Sequence, residues 1–352
     1  MRDRLAATGL SRPQRRYHRL ITSVVVFVLV PVLAWPSVGW AIWHSRPVSD
    51  VSLVVFDETV LDDSYREHQA LGLVLHSLKV PFSVSDGYIG AAPGGAPIGE
   101  WPSTRPDLVM LVDAYGVYVN DEGAVDPQGR RRVSGRLENS DVERISGWNE
   151  RGTWLYGETQ ILGQPTPPEA REKLETLFSI ESSGWSGRWF DDLSTVPESL
   201  RTDDWDFVGS GIVMVSENDR FVLSGAELSG RLVRVTGQTP QGWGFDVPFG
   251  NWFEIIEAAG TVDAWLELPV TSAGAAVLER HGLPTRSPMI IRGTRTVYIA
   301  GDASEAAVSF PLQSIAGSAA VVRMLPQTVD SAFFYRAYVP VVTWLVAAAE
   351  RG

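Results

Sequence analysis

Residues 152–167 read GTWLYGETQILGQPTP, and their reading decides the fold. Thr153 to Tyr156 has the apolar, β-favouring character of a short strand, stopped by Gly157-Glu158. A few residues later, Thr166 to Glu169 matches a capping box with Pro167 at the first helical position. The helix it opens runs to about Phe178. Upstream, Ser140 to Glu143 matches a second capping box and opens a helix to about Glu150. The segment therefore predicts helix, buried strand, tight turn and helix.

Working outward, Asp107 to Val112 (DLVMLV) and Val51 to Phe56 (VSLVVF) are nearly unbroken apolar runs, as in strands covered on both faces. A helix is expected from about Ser64 to Leu78, where Leu71, Val74, Leu75 and Leu78 share one face. A strand is expected at Val80 to Val84, and a Gly/Pro-rich loop from Asp86 to Arg105. This alternation predicts an α/β fold with a mostly parallel sheet and helices on both faces.

After Trp185 the runs shorten. Gly211–Val215, Phe221–Leu223, Leu232–Val235, Trp243–Val247 and Ala264–Val270 read as an antiparallel, β-rich part. Thr296 to Ala300 returns to the buried style, and Phe333 to Ala349 reads as a packed C-terminal helix. The expected organisation is a tail at 1–19, a membrane span at 20–43, an α/β region at 44–202, a β-rich insertion or subdomain at 203–275, and a return to the sheet at 276–352.

The first nineteen residues carry Arg2, Arg4, Arg12, Arg15, Arg16 and Arg19 against Asp3 alone, and Leu20 to Trp43 has no charged side chain. A helix of that length reaches roughly 36 Å, more than the hydrocarbon core of about 30 Å. The one-sided arginines predict a cytoplasmic N-terminus, and Trp35, Trp40 and Trp43 suit the far interface. The expectation is a single-pass cell-membrane protein with an extracytoplasmic body. A cleaved signal peptide fits less well, because AWPSVGWAIWHS puts bulky residues where small ones are wanted.

The chain has 30 basic and 42 acidic residues, so with six arginines in the tail the body is strongly acidic. That disfavours nucleic acid as a partner. There is no cysteine, which removes thiol nucleophiles and thiolate metal sites and leaves the body to its core rather than disulfides. No cofactor and no dedicated metal site is expected.

In open parallel sheets, ligands bind beyond the carboxyl ends of the strands. Four strand signals end there in acids: Asp57-Glu58, Asp113, Glu158 and Asp302. With Tyr115, Tyr118, Trp185 and Arg188 nearby in sequence, they form the candidate ligand-binding set. Carboxylates accept hydroxyl hydrogen bonds and ring faces cover sugar C–H surface, so a glycan fits. The bland alternative is that each acid caps the next helix.

The layout around GTWLYGETQILGQPTP resembles the class I glutamine amidotransferase-like (flavodoxin-like) fold over roughly 51–190, with 296–302 as a later strand. That resemblance implies a nucleophile at the turn after this strand, where Glu158 stands; without cysteine, thiol-dependent glutamine hydrolysis is excluded. GETQ, GWSGRWF (Gly184 to Phe190) and YIAGD (Tyr298 to Asp302) also resemble stretches of single-pass, membrane-anchored bacterial proteins without assigned activity. In GWSGRWF, Trp185 and Arg188 project from a rigid turn, or Trp189 and Phe190 fill the core.

His68 and His76 are too far apart for a zinc pair, GAAPGGAP (Gly90 to Pro97) lacks a phosphate-loop lysine, and Ser210 is no nucleophile elbow. His281, in ERHGLP, is outside the family's His-x-Glu pattern. Three functions follow. The first is a non-catalytic domain binding an envelope glycan or protein. The second is a polysaccharide hydrolase using Glu158 and Asp113, with carboxyl groups about 5–5.5 or 6.5–9.5 Å apart, a divalent cation on the same acids being a variant. The third is a scaffold using Trp243, Trp252 and Phe253 as an interface.

Overall fold

The computed structural model describes residues 30–57, 69–81, 88–89, 101–113, 117–119, 131–134, 137–163, 166–202, 204–304 and 313–352. Its strands are β1 Leu53–Asp57, β2 Tyr88–Ile89, β3 Leu108–Asp113, β4 Val117–Val119, β5 Arg131–Ser134, β6 Trp154–Glu158, β7 Ile180–Phe190, β8 Gly211–Val215, β9 Arg220–Ser224, β10 Arg234–Gln238, β11 Gly244–Pro248, β12 Phe253–Ala258, β13 Thr261–Glu267, β14 Arg286–Arg292 and β15 Thr296–Ile299. The helices that matter below are α1 Val30–Ser45, α2 Gln69–Ser77, α3 Asn139–Glu150, α4 Pro168–Phe178, α5 Ser272–Arg280, α6 Ser318–Met324 and the C-terminal helical segment Val329–Ala349.

One nine-stranded sheet carries the molecule, in the order β11-β10-β13-β14-β15-β6-β3-β1-β2. From β15 to β2 every pairing is parallel, and from β15 to β11 every pairing is antiparallel. The expectation of a mostly parallel sheet followed by an antiparallel β-rich part is thereby corrected: the main sheet is itself mixed. Parallel neighbours need long crossovers, whereas the tight turn after Arg292 lets β14 and β15 pair as a hairpin. Because β15 also pairs with β6, the later strands extend the same sheet. Residues 203–275 contribute to it through β10, β11 and β13, and to a second, four-stranded antiparallel sheet (β12-β7-β8-β9) through β8, β9 and β12.

The two sheets are stitched at defined points. Phe253 bridges Gly301, and the Ser287 hydroxyl both donates to the Ile256 carbonyl and accepts from its N–H, each at 3.0 Å. GWSGRWF is neither turn nor linker but the last seven residues of β7. Its register against β12 shifts beside Ser183-Gly184, and Gly184 at φ +77° supplies the left-handed residue that this bulge requires.

The expected strand at Val80–Val84 is not formed at Val80 or Pro81, and 82–84 lie outside the described residues. Of the helix expected at 64–78, Gln69–Ser77 is described as helix. The capping box of α3 uses Glu138 and Asp141 rather than Ser140 and Glu143.

The expected transmembrane helix before the body is also corrected. The described part is α1, of 16 residues, and one side of it packs on the domain: Gly39 meets Ile315, and the Trp43 indole donates to the Ser77 carbonyl at 3.0 Å. Among the described residues, only Ser331–Ala349 is long and apolar enough to cross a membrane, and 78% of its apolar window is buried in the protein. It is a core helix. Pro340 removes an N–H from its ladder, which accounts for the π-helical turn Phe334–Tyr338 just before it.

Side-chain alternation assigns the two faces. Trp154 and Tyr156 of β6 meet Trp344 and Tyr338 of the C-terminal segment, with ring centroids 5.4 and 6.3 Å apart. Gly157 faces the other way, onto Ile161 and Phe178. A Cβ at Gly157 would stand 2.8 Å from each of those two side chains. Gly157→Ala is expected to destabilise the fold by about 1–3 kcal/mol in chemical denaturation, as overpacking does.

Candidate functional site

Strands β15, β6, β3 and β1 are consecutive in the sheet, so the acids at their carboxyl ends fall along one rim. Asp57 and Asp113 are Cα partners, and Glu158 pairs with Ile299, three residues before Asp302. Glu58 and Tyr115 lie outside the described residues. Tyr118 is on β4, which among the described residues pairs with β5 in a two-stranded ribbon. Trp185 belongs to the second sheet, where its ring packs on Phe221 and His281. Arg188 lies over the rings of Phe190 and Trp252, and the Trp252 carbonyl accepts from Asp302 N–H at 2.8 Å. Arg188 is thus one residue removed from the rim, and Trp185 stands apart from it.

Glu158 and Asp302 are not open to solvent, at 1% and 4% exposure. Glu158 instead ends in a knot. One oxygen accepts from the Tyr156 hydroxyl at 2.6 Å. The other accepts from the N–H groups of Ala303 and Ser304, both at 3.1 Å, and from the Ser304 hydroxyl at 2.9 Å. The carboxylate therefore ties β6 to the chain leaving β15. Tyr338 of the C-terminal segment packs edge-on against the Tyr156 ring, its own hydroxyl buried without a hydrogen-bond partner among the described residues. Burial first, and the Glu158 charge second, hold the Tyr156 and Tyr338 hydroxyls well above the usual phenol range, so both stay protonated.

A second buried acid lies toward the opposite face. Glu254 of β12 accepts from the Tyr298 hydroxyl at 2.5 Å and from the Gln160 N–H at 3.0 Å. Tyr298 is in register with Gly157 and packs on Phe178, away from Tyr156. Burial pushes the Glu254 carboxyl up, and the bonds from Tyr298 and Gln160 oppose that shift only in part.

Glu254, Tyr298, Ser304 and Tyr338 were outside the sequence-derived set. Glu254 had a legible signal, an acid inside the apolar run FEII. The other three carry none beyond apolar neighbourhoods.

Beside Asp302 lies a cavity of about 10 Å³, lined by Phe249, Asn251, Phe333 and Phe334 among others. That is room for about one water. No group of three metal-ligating side chains occurs among the described residues. Both oxygens of Glu158 are engaged by hydrogen bonds within the fold.

No protein-family model matches the chain, and no curated protein or solved structure matches it significantly.

Glu158→Ala is expected to cost about 3 kcal/mol or more of unfolding free energy, because each orphaned buried donor costs about 1–3 kcal/mol. Glu158→Gln keeps an acceptor for the two N–H groups and can turn its amide toward the Tyr156 oxygen, so its loss is expected to be about 1–2 kcal/mol. Urea melts of the two variants check the order.

Glu254 makes a pH prediction. Its folded-state pKa is raised above 4.5, so the folded chain holds this proton to higher pH than the unfolded chain. The stability it contributes below about pH 4.5 is lost as pH rises through the folded value. Glu254→Gln, neutral throughout, is expected to gain stability relative to the parent as pH rises from about 4.5, measured by melts across that range.

Proposed function

We propose that the chain is a non-catalytic binding domain of the cell envelope, holding a glycan or protein partner at the carboxyl ends of β1 and β3. The observation that carries this reading is the state of Glu158. The acid at the position where the amidotransferase-like resemblance implies a nucleophile is buried and engaged by four hydrogen bonds among the described residues. It holds the wall behind the rim and has no room to act on a substrate. A general acid or nucleophile needs access to the scissile bond.

The binding rim is then left to Asp57 and Asp113. Their register sets two carboxylate-bearing positions side by side at adjacent strand ends, about 4.8 Å apart at the backbone. Paired carboxylates accept hydroxyl hydrogen bonds from a polyol or pair with a cationic partner. The envelope location is supported by the six arginines before residue 20 and the uncharged residues 20–29 that follow them.

The test is calorimetric titration of the intact protein with soluble cell-wall glycan fragments. Asp57→Asn with Asp113→Asn is expected to weaken binding at least about tenfold, while Glu158→Gln, folded, binds as the parent does. Equal binding by the parent and the double variant would sink the rim. Release of shortened glycan, abolished by Asp113→Asn, would establish a hydrolase instead.

A further inference from the structure

The parallel half of the main sheet has two ends, and the acids occupy only the carboxyl one. At the amino end, the neighbouring strands β15, β6 and β3 are led by Arg295, Gly152 and Arg105. Backbone hydrogen bonds hold these leads side by side: Leu155 N–H donates to the Arg295 carbonyl and Trp154 N–H to the Asp107 carbonyl, both at 2.9 Å. The middle lead carries no side chain, because Gly152 stands at φ +106°, an angle left to glycine. Both outer leads send a guanidinium into the space this leaves. Where a Cβ at Gly152 would stand, Arg295 Nη1 is 3.0 Å away and Arg105 Nη1 is 3.6 Å away. Arg105 is exposed and Arg295 half-buried, so solvent reaches the pair.

Two guanidiniums brought to one spot repel each other unless a negative group lies between them. Among the described residues, no carboxylate pairs with either arginine. The nearby Asp107 carboxylate accepts from the Ser52 N–H and hydroxyl instead. The C-terminal end of α3, just before Gly152, favours a cation. Its Trp148 and Asn149 carbonyls, however, accept from the backbone N–H groups of Arg151, Gly152 and Thr153, which leaves the guanidinium donors unused. Arg105 makes one long bond, 3.5 Å to Thr153 Oγ1.

Arg295 is also an outlier in its backbone. It holds φ +59°, the left-handed region where glycine or asparagine sits with less strain. The turn keeps an arginine where the backbone alone favours another residue, and such an outlier points to function.

We propose that Arg105 and Arg295 clasp a phosphate group across Gly152, at the end of the sheet opposite the acidic rim. A carboxylate is satisfied by one guanidinium fork. A tetrahedral phosphate offers oxygens to two forks at once, and as a monoester it carries about −1.5 to −2 charges at pH 7. The bare glycine lets the anion approach the backbone between them. The clasp shares no residue with the rim, so it stands or falls apart from the glycan reading.

The test is calorimetric titration of the full chain with sodium phosphate and, separately, with glycerol 3-phosphate, each against sodium chloride of equal ionic strength. The parent is expected to bind phosphate, and Arg105→Gln and Arg295→Asn each to weaken it about tenfold or more. Arg234→Gln removes a guanidinium from β10, at the antiparallel end of the sheet, and is expected to bind as the parent does. Because asparagine suits the left-handed region, Arg295→Asn is expected to melt no lower than the parent in the absence of phosphate, which keeps lost binding apart from lost folding. Binding of both probes marks a phosphate carried on a larger molecule, and binding of phosphate alone marks the free ion; either supports the clasp. No heat beyond that of chloride, or an affinity unchanged in Arg105→Gln and Arg295→Asn, overturns it.

Discussion

The knot around Glu158 is the constraint on which the rest of the structure depends. A carboxylate at 1% exposure is tolerated only when its oxygens are satisfied, and here they are satisfied by groups from separate parts of the chain. Tyr156 lies on its own strand, and Ala303 and Ser304 follow β15. The acid thus fixes the path of the chain leaving β15 against β6, and the last helix seats by ring contact with Tyr156. Each bond missed there would leave a buried polar group unpaired, at about 1–3 kcal/mol.

With that centre fixed, a sheet of two characters becomes possible. β15 is the pivot, parallel to β6 on one side and antiparallel to β14 on the other. Beyond it the Arg292–Asp263 ion pair joins β14 to β13, with the guanidinium 5.8 Å from the Trp344 ring of the C-terminal segment. The second sheet hangs from this half through Ser287 and the Phe253–Gly301 bridge. Glu254 and Tyr298 fill the space where the two sheets meet. The strand-end rim is therefore held by the same scaffold as the second sheet.

The parallel half was legible in the sequence because its strands are unbroken apolar runs, such as DLVMLV, and its helices carry apolar spacing. β8 lies at Gly211–Val215, where its pattern places it. β7, β12 and β14 were not legible. IESSGWSGRWF holds a bulge and few large apolar residues, FEIIEA holds two acids, and RSPMIIR holds a proline. Each violates local strand preference and is rescued by pairing with distant segments. The candidate site divided the same way. The acids at strand ends could be read from position, and their strands are neighbours. Whether an acid there faces solvent or is consumed inside depends on Ala303 and Ser304, which are far off in sequence. Glu143, expected in a cap, pairs instead with Lys173 of the neighbouring helix at 2.8 Å.

The partners of Glu158 on the far side of the knot stand 146 residues downstream of it. During synthesis, β6 leaves the ribosome long before β15 and the C-terminal segment exist to cover it. At translation speeds of about 5–20 residues per second, that interval lasts on the order of ten seconds. Throughout it the nascent chain carries an unpaired apolar strand edge and a buried-type carboxylate still in water. The β15-facing edge of β6 can be paired only once those late elements have been made. The domain's stability is thus bought by a delay that a holdase chaperone is well suited to cover.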